Sequence, residues 1–215
     1  VDGINISIDT LNTRKFKEIT GHDRLPEILK GIELLQKKGF EKIKINAVLL
    51  KDINDTKEEF DNWAEFINKN NVSFRYIELM QTGDNFEYFK KYHQSAKVFK
   101  EYIETQGWKN IDRARDDGPA LNYINQNSKG SFGVIAPYSK DFCKSCNRLR
   151  ITAKGELRLC LFGNTGTDLR QLLKDSKQKN ELIDLILTQL RFKKESHYLE
   201  LGNTGITPHL ASVGG

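Results

Sequence analysis

Three cysteines constrain this chain more than any other feature. Cys143 and Cys146 form a C-x2-C pair, Cys160 follows after thirteen residues, and the sequence has three cysteines in all. An odd count confined to one stretch argues against a disulfide framework and for a reducing compartment. Two thiolates spaced this way can grip one metal ion or one cluster, and a turn must bring back the third. Residues 149–161 predict that turn, because Lys154-Gly155 sits between two runs of alternating character. A structural zinc needs a fourth protein ligand. The histidines do not obviously supply it: His22 and His93 lie far upstream, and His197 and His209 lie in the tail. A [4Fe–4S] cluster usually takes four cysteines; one held by three keeps an iron open for substrate. The spacing favours the cluster, and a zinc knuckle completed by a distant His is the alternative.

The first part of the chain alternates strands and helices. Residues 4–9 follow a period of two and predict a strand. Asp23 predicts the N-cap of a helix carrying Leu25, Ile28, Leu29, Ile32 and Leu35, stopped at Gly39. Residues 42–50 and 72–80 predict two more strands. Thr56-Lys57-Glu58-Glu59 predicts a capping box before a helix with Phe60, Trp63, Phe66 and Ile67 on its apolar stripe. Another helix is expected over 95–105. Strand, helix, strand, helix, strand implies a parallel sheet joined by right-handed crossovers. Three strands make only one end of a barrel or of an open α/β sheet. The chain opens on Val1-Asp2-Gly3 and runs straight into a strand, so it is expected to be cut from a longer protein. After about residue 110 the character changes. A turn is expected at Asp116-Asp117-Gly118-Pro119, a strand over 133–136, then the cysteine hairpin, and helices over 168–174 and 181–190. Residues 196–215 show no periodicity.

The strands carry an anomaly. Asn5, Ser7 and Asp9 share one face of the first, Lys42, Lys44 and Asn46 one face of the second, and Ser73 and Arg75 one face of the third. A parallel strand covered on both sides should be almost continuously apolar. A polar face repeated on three strands points to a wet cavity for an anion. Arg148 and Arg150 follow Cys146 at alternating positions, so both guanidiniums can serve one phosphate group. Between residues 140 and 160 there are six basic and two acidic residues, whereas the whole chain carries a net charge of only +5, weak support for a nucleic-acid partner. No apolar run is long enough to cross a membrane.

Together these blocks resemble molybdenum cofactor biosynthesis protein A, a family of radical S-adenosylmethionine enzymes acting as GTP 3′,8-cyclases. The resemblance rests on Ile4-Asn-Ile-Ser-Ile-Asp-Thr-Leu11, Lys44-Ile-Asn46 with Ile53-Asn-Asp55, Arg75-Tyr-Ile-Glu-Leu-Met80 with Gly83, and Gly118-Pro-Ala120. It continues through Phe142-Cys-Lys-Ser-Cys-Asn-Arg-Leu-Arg-Ile-Thr152, Leu157-Arg-Leu-Cys-Leu-Phe162 and a terminal Gly214-Gly215. It implies an α/β fold: the carboxy-terminal part of an incomplete (β/α) TIM-like barrel over 1–110, with its last three strands, and a smaller α+β iron–sulfur domain over 111–215. It implies that Cys143, Cys146 and Cys160 hold a second [4Fe–4S] cluster. Lys44, Arg75, Arg148 and Arg150 then contact GTP, Ser7 and Met80 contact S-adenosylmethionine, and Gly214 and Gly215 form a tail reaching the active site. Arg75 and Met80 differ in parity, so both can face one cavity only if the strand ends or bulges between them. The family's C-x3-C-x2-C motif for a first cluster is absent, so that cluster is expected only in the full-length protein, and this portion alone is expected to be inactive. A cytoplasmic protein is implied, without membrane or nucleic-acid partner. The next enzyme of the molybdenum cofactor pathway is a partner, and a homodimer is an option. Two other classes remain: a cluster-binding module without catalysis, and a zinc ribbon binding RNA through residues 140–158.

Overall fold

The computed structural model describes residues 2–112, 118–140, 142–144, 146, 148–163 and 166–205. The chain forms two compact units, one of residues 1–79 and 91–136, the other of 80–90 and 137–215.

The first unit is mixed α/β with a parallel sheet. It opens with β1 (Ile4–Ser7), α1 (Thr13–Thr20) and α2 (Leu25–Lys37). Asn12 caps α1, its side chain accepting from the Lys15 N–H. Asp23 does not cap α2: Arg24 holds that position without a side-chain capping bond, and Pro26 sets the first turn. β2 (Ile43–Leu49), α3 (Lys57–Lys69) and β3 (Ser73–Glu78) lie where the periodicity expects them. Thr56 caps α3 by accepting from the Glu59 N–H, but the capping box is one-sided. The Glu59 carboxylate is buried and accepts instead from Thr10 Oγ1 at 2.8 Å and Lys15 Nζ at 2.7 Å. α4 (Phe86–Tyr92) carries the chain back from the second unit, and α5 (Lys97–Thr105), β4 (Lys109–Ile111), β5 (Leu121–Ile124) and β6 (Ser131–Ile135) follow.

The six strands are ordered β1-β2-β3-β6-β5-β4. The first four are parallel, and β5 and β4 add antiparallel. The sheet therefore continues past residue 110, because β6 pairs with β3 from Ser73↔Ser131 to Ile77↔Ile135. One face is apolar. Ile6, Ile45, Phe74 and Phe132 align across four strands; Ile6 is partly buried, and α3 and α5 add Trp63, Ile67, Phe99 and Ile103 to the buried core around the other three. Trp63 stacks on Phe74 with ring centroids 4.0 Å apart, and Phe99 meets Phe132 edge-on at 5.1 Å. Removing either Trp63 or Phe99 to Ala costs about 3–5 kcal/mol on the general scale for buried aromatics.

In the second unit β7 (Arg150–Ile151), β8 (Glu156–Arg158) and β9 (Thr167–Asp168) form an antiparallel sheet in that order. The expected hairpin is present, with Gly155 in its turn at φ +74°, a conformation that a side chain would strain. The helix expected over 168–174 does not form. Asp168 pairs with Glu156 as the end of β9, and its carboxylate accepts from the Arg170 N–H at 2.8 Å, closing a turn. α6 (Lys179–Leu190) follows a 3₁₀ turn at Ser176–Gln178. Gln81 N–H donates to Tyr138 Oη at 3.0 Å, and the Phe89 and Tyr138 rings lie 5.8 Å apart, tying residues 80–90 to this unit. Of the turn expected at 116–119, residues 116 and 117 lie outside the described residues.

Candidate functional site

The cysteine region is built from the hairpin and from the turn before it. Cys146 N–H donates to the Cys143 carbonyl at 3.1 Å, a tight turn that holds the first two thiols close in the chain. The pairing Arg150↔Arg158 then returns the chain toward Cys160. All three thiols are free and partly buried. Burial pushes the Cys143 thiol up; donors from the His197 N–H and the Ser196 hydroxyl oppose this, and the charges of Cys160 and Cys146 add to it. Cys146 is also penalised by burial, but the Arg148 N–H, the Lys193 ammonium and the Arg148 guanidinium outweigh it, and its thiol is held below the ordinary range. Among the described residues, no three His, Cys, Asp or Glu side chains converge closely enough to hold one metal ion.

His197 bonds to Cys143 through its backbone N–H, and both its ring nitrogens are occupied. Nδ1 accepts from the Leu199 N–H at 3.0 Å, which leaves Nε2 to donate to the Pro137 carbonyl at 2.9 Å. Burial lowers its pKa, against the Pro137 carbonyl and Glu200. As it stands, the ring has no lone pair free for a metal.

Arg148 and Arg150 are half-buried while Leu149 between them is 38 % exposed, as alternating positions require. Burial and the neighbouring Arg148 charge lower the Arg150 pKa, and the thiols of Cys160 and Cys146 partly offset this. A third arginine joins them. Arg158 stands opposite Arg150 across the hairpin, its side chain 13 % exposed, its Nε and Nη1 buried without hydrogen-bond partners. Glu156 lies 3.5 Å from its Nη2. Sequence reasoning counted Arg158 among the basic residues without assigning it. The hairpin register would have found it, since a turn centred on Lys154 pairs 150 with 158. It also missed Lys193 and Ser196, which lay beyond any motif, and named His197 only as a distant histidine.

The polar face belongs to the first unit. Two rows cross its strands in register: Asn5, Lys44, Ser73 and Ser131, then Ser7, Asn46, Arg75 and Gly133. The expected alignment of Ser7, Lys44 and Arg75 on one side of the sheet is therefore seen, with Ser7 exposed and the other two half-buried. A Cβ on Gly133 would stand 2.7 Å from Arg75 Cγ, so the arginine lies flat over the glycine. Lys44 and Ser73 also line a groove of about 430 Å³ at the amino-terminal ends of the strands. Met80 belongs to the second unit and follows the end of β3 at Glu78, so strand parity does not fix its direction. Its carbonyl accepts from Asn85 Nδ2 at 3.0 Å. Gly214 and Gly215 lie outside the described residues.

Residues 72–199 match the family described as Molybdenum Cofactor Synthesis C. The chain belongs to that family. Proteins named GTP 3′,8-cyclase match it over 212 residues, or 99 % of the chain: 50 % identity in Stenotrophomonas maltophilia strain K279a, 47 % in Tolumonas auensis and 46 % in Vibrio parahaemolyticus. The chain spans 64 %, 62 % and 63 % of the length of these relatives. As a Molybdenum Cofactor Synthesis C protein, it has Arg75, Met80, the three cysteines, Arg148 and Arg150 within the matched span, and Ser7, Lys44 and the double glycine outside it.

Proposed function

We propose that the chain is the carboxy-terminal part of a GTP 3′,8-cyclase, in which S-adenosylmethionine radical chemistry converts GTP toward the cyclic pyranopterin precursor of the molybdenum cofactor. The observation that carries this is the three-thiol set flanked by Arg148 and Arg150, in a chain 50 % identical to a protein of that name. Cys143, Cys146 and Cys160 would hold the second [4Fe–4S] cluster. The donor set fits a cluster: three free, partly buried thiols on one hairpin and the turn before it, with the Arg148 and Lys193 charges beside Cys146. A single zinc gathers its thiolates at about 2.3 Å, whereas a cluster spreads them over separate irons. When bound, such a cluster supplies an iron open to a purine donor atom. Arg148 and Arg150 would fork onto the triphosphate; Lys44 and Arg75 are proposed as GTP contacts on their own strands. Ser7 and Met80 would contact S-adenosylmethionine, and Gly214 and Gly215 would reach the active site.

In this proposal the unit of residues 1–79 and 91–136 supplies the end of an incomplete barrel, and the unit of 80–90 and 137–215 carries the cluster thiols. The first cluster, which starts the radical chemistry, belongs to the full-length protein, so this portion alone does not cleave S-adenosylmethionine. Among the described residues no helix is long and apolar enough to cross a membrane. A cytoplasmic enzyme without a nucleic-acid partner, handing its product to the next enzyme of the pathway, completes the picture; a homodimer fits it equally.

The test is calorimetric titration of GTP into the protein expressed from its complete coding sequence. A charge-assisted bond contributes about 1.5–3 kcal/mol, so Arg148→Ala or Arg150→Ala is expected to weaken GTP binding by roughly tenfold or more. Lys at either position is expected to restore only part, because an ammonium lacks the fork. Equal affinity in all forms would make these arginines a solvated face.

A further inference from the structure

Lys193 follows α6 and is placed by a turn in which its N–H donates to the Leu190 carbonyl at 3.1 Å. Its half-buried ammonium has three protons and meets three acceptors: the Leu159 carbonyl at 2.7 Å, the Arg148 carbonyl at 3.0 Å and the Cys146 sulfur at 3.8 Å. Arg148 lies two residues after one cysteine, and Leu159 immediately precedes another. One side chain therefore bridges the outgoing and returning arms of the hairpin while pointing a positive N–H at a thiol. The same short segment serves the first thiol too, through the Ser196 hydroxyl and the His197 N–H at Cys143. Groups that donate to ligand sulfurs and fix the ligand loops govern how firmly a cluster is held and its reduction potential.

We propose that Lys193 is a positioning residue for the cluster on Cys143, Cys146 and Cys160: it locks the two ligand arms at their set spacing and stabilises the reduced cluster through its charge on Cys146. This rests on the cluster assignment made above. Two consequences follow from the geometry. Without the bridge, the Cys160 arm is free to move away from the Cys143–Cys146 turn, so the cluster is lost more easily. Without the charge, the reduced, more negative cluster is less favoured, so the midpoint potential falls.

The experiment compares wild type, Cys146→Ala, Lys193→Met and Lys193→Gln in the protein from its complete coding sequence, reconstituted anaerobically. Cys146→Ala defines the share of iron that depends on these thiols. Lys193→Met, which lacks donors and charge, is expected to lose that share to an iron chelator at least about tenfold faster than wild type. Lys193→Gln keeps an N–H donor but no charge, and is expected to shift the midpoint potential of the same cluster to a more negative value even where iron retention is largely preserved. A hairpin strap with no role at the cluster would not move that potential. Wild-type chelation rates in Lys193→Met, or a wild-type potential in Lys193→Gln, with iron still lost in Cys146→Ala, overturns the role of Lys193 and leaves the cluster assignment standing. No iron lost in Cys146→Ala overturns both.

Discussion

Gly133→Ala tests the polar face by a single carbon. Gly133 stands opposite Arg75 in the parallel pairing of β3 and β6. The new Cβ would lie 2.7 Å from Arg75 Cγ and 3.5 Å from its Cβ and Cδ. The backbone has little room to yield, because Asn122 of β5 holds Gly133 from the other side. The arginine side chain must therefore move. Overpacking costs about 1–3 kcal/mol, and about 0.4–1 kcal/mol of that is returned because Ala narrows the unfolded ensemble. The net loss of stability is expected to be about 0–2.6 kcal/mol. If Arg75 forks onto a phosphate, its displacement removes about 1.5–3 kcal/mol of binding, one to two powers of ten in Kd. The assay pairs urea unfolding with GTP calorimetry on Gly133→Ala, Arg75→Ala and the double variant. Affinity should fall more than stability, and the double variant should bind no worse than Arg75→Ala alone. Unchanged affinity in Gly133→Ala, or losses that simply add in the double variant, would refute the reasoning.

Lys15→Met is expected to destabilise the first unit by about 2–3 kcal/mol, because it strands the Glu59 carboxylate, 3 % exposed, with Thr10 as its remaining donor among the described residues. Adding Glu59→Gln should recover part of that loss in chemical denaturation. Asp9 gives a pH signature. Burial raises its pKa against the bond from the Val48 N–H at 2.8 Å, so the folded state holds the proton longer than the unfolded one. Stability is then lost as pH rises from the ordinary carboxylate range through the raised value. Asp9→Asn keeps an acceptor for Val48 and should flatten that decline in urea midpoints measured between about pH 4 and 7.

What was legible in the sequence was whatever repeats along a strand or helix. The alternation in β1, β2 and β3 gave the parallel strands and their polar face, because a period of two survives in any register. Lys154-Gly155 gave the hairpin, because a turn needing positive φ selects glycine. β4 and β5 escaped because Lys109–Ile111 and Leu121–Ile124 are too short to show a period. The helix misread over 168–174 had a good capping residue in Asp168, but strand pairing to Glu156 took it instead. Glu59 looked like half of a capping box and was claimed by Lys15, 44 residues away in sequence. Lys193 reaches Cys146 across 47 residues with no motif around it. Such contacts are decided by tertiary packing, and no local pattern announces them.

Metal analysis of the purified chain after anaerobic reconstitution with ferrous iron, sulfide and zinc present together tests the central claim most directly. The thiol set predicts uptake of about four irons per chain with a brown chromophore, and loss of both in Cys160→Ala. One zinc per chain with no iron taken up, or the same iron content in Cys160→Ala, would contradict it.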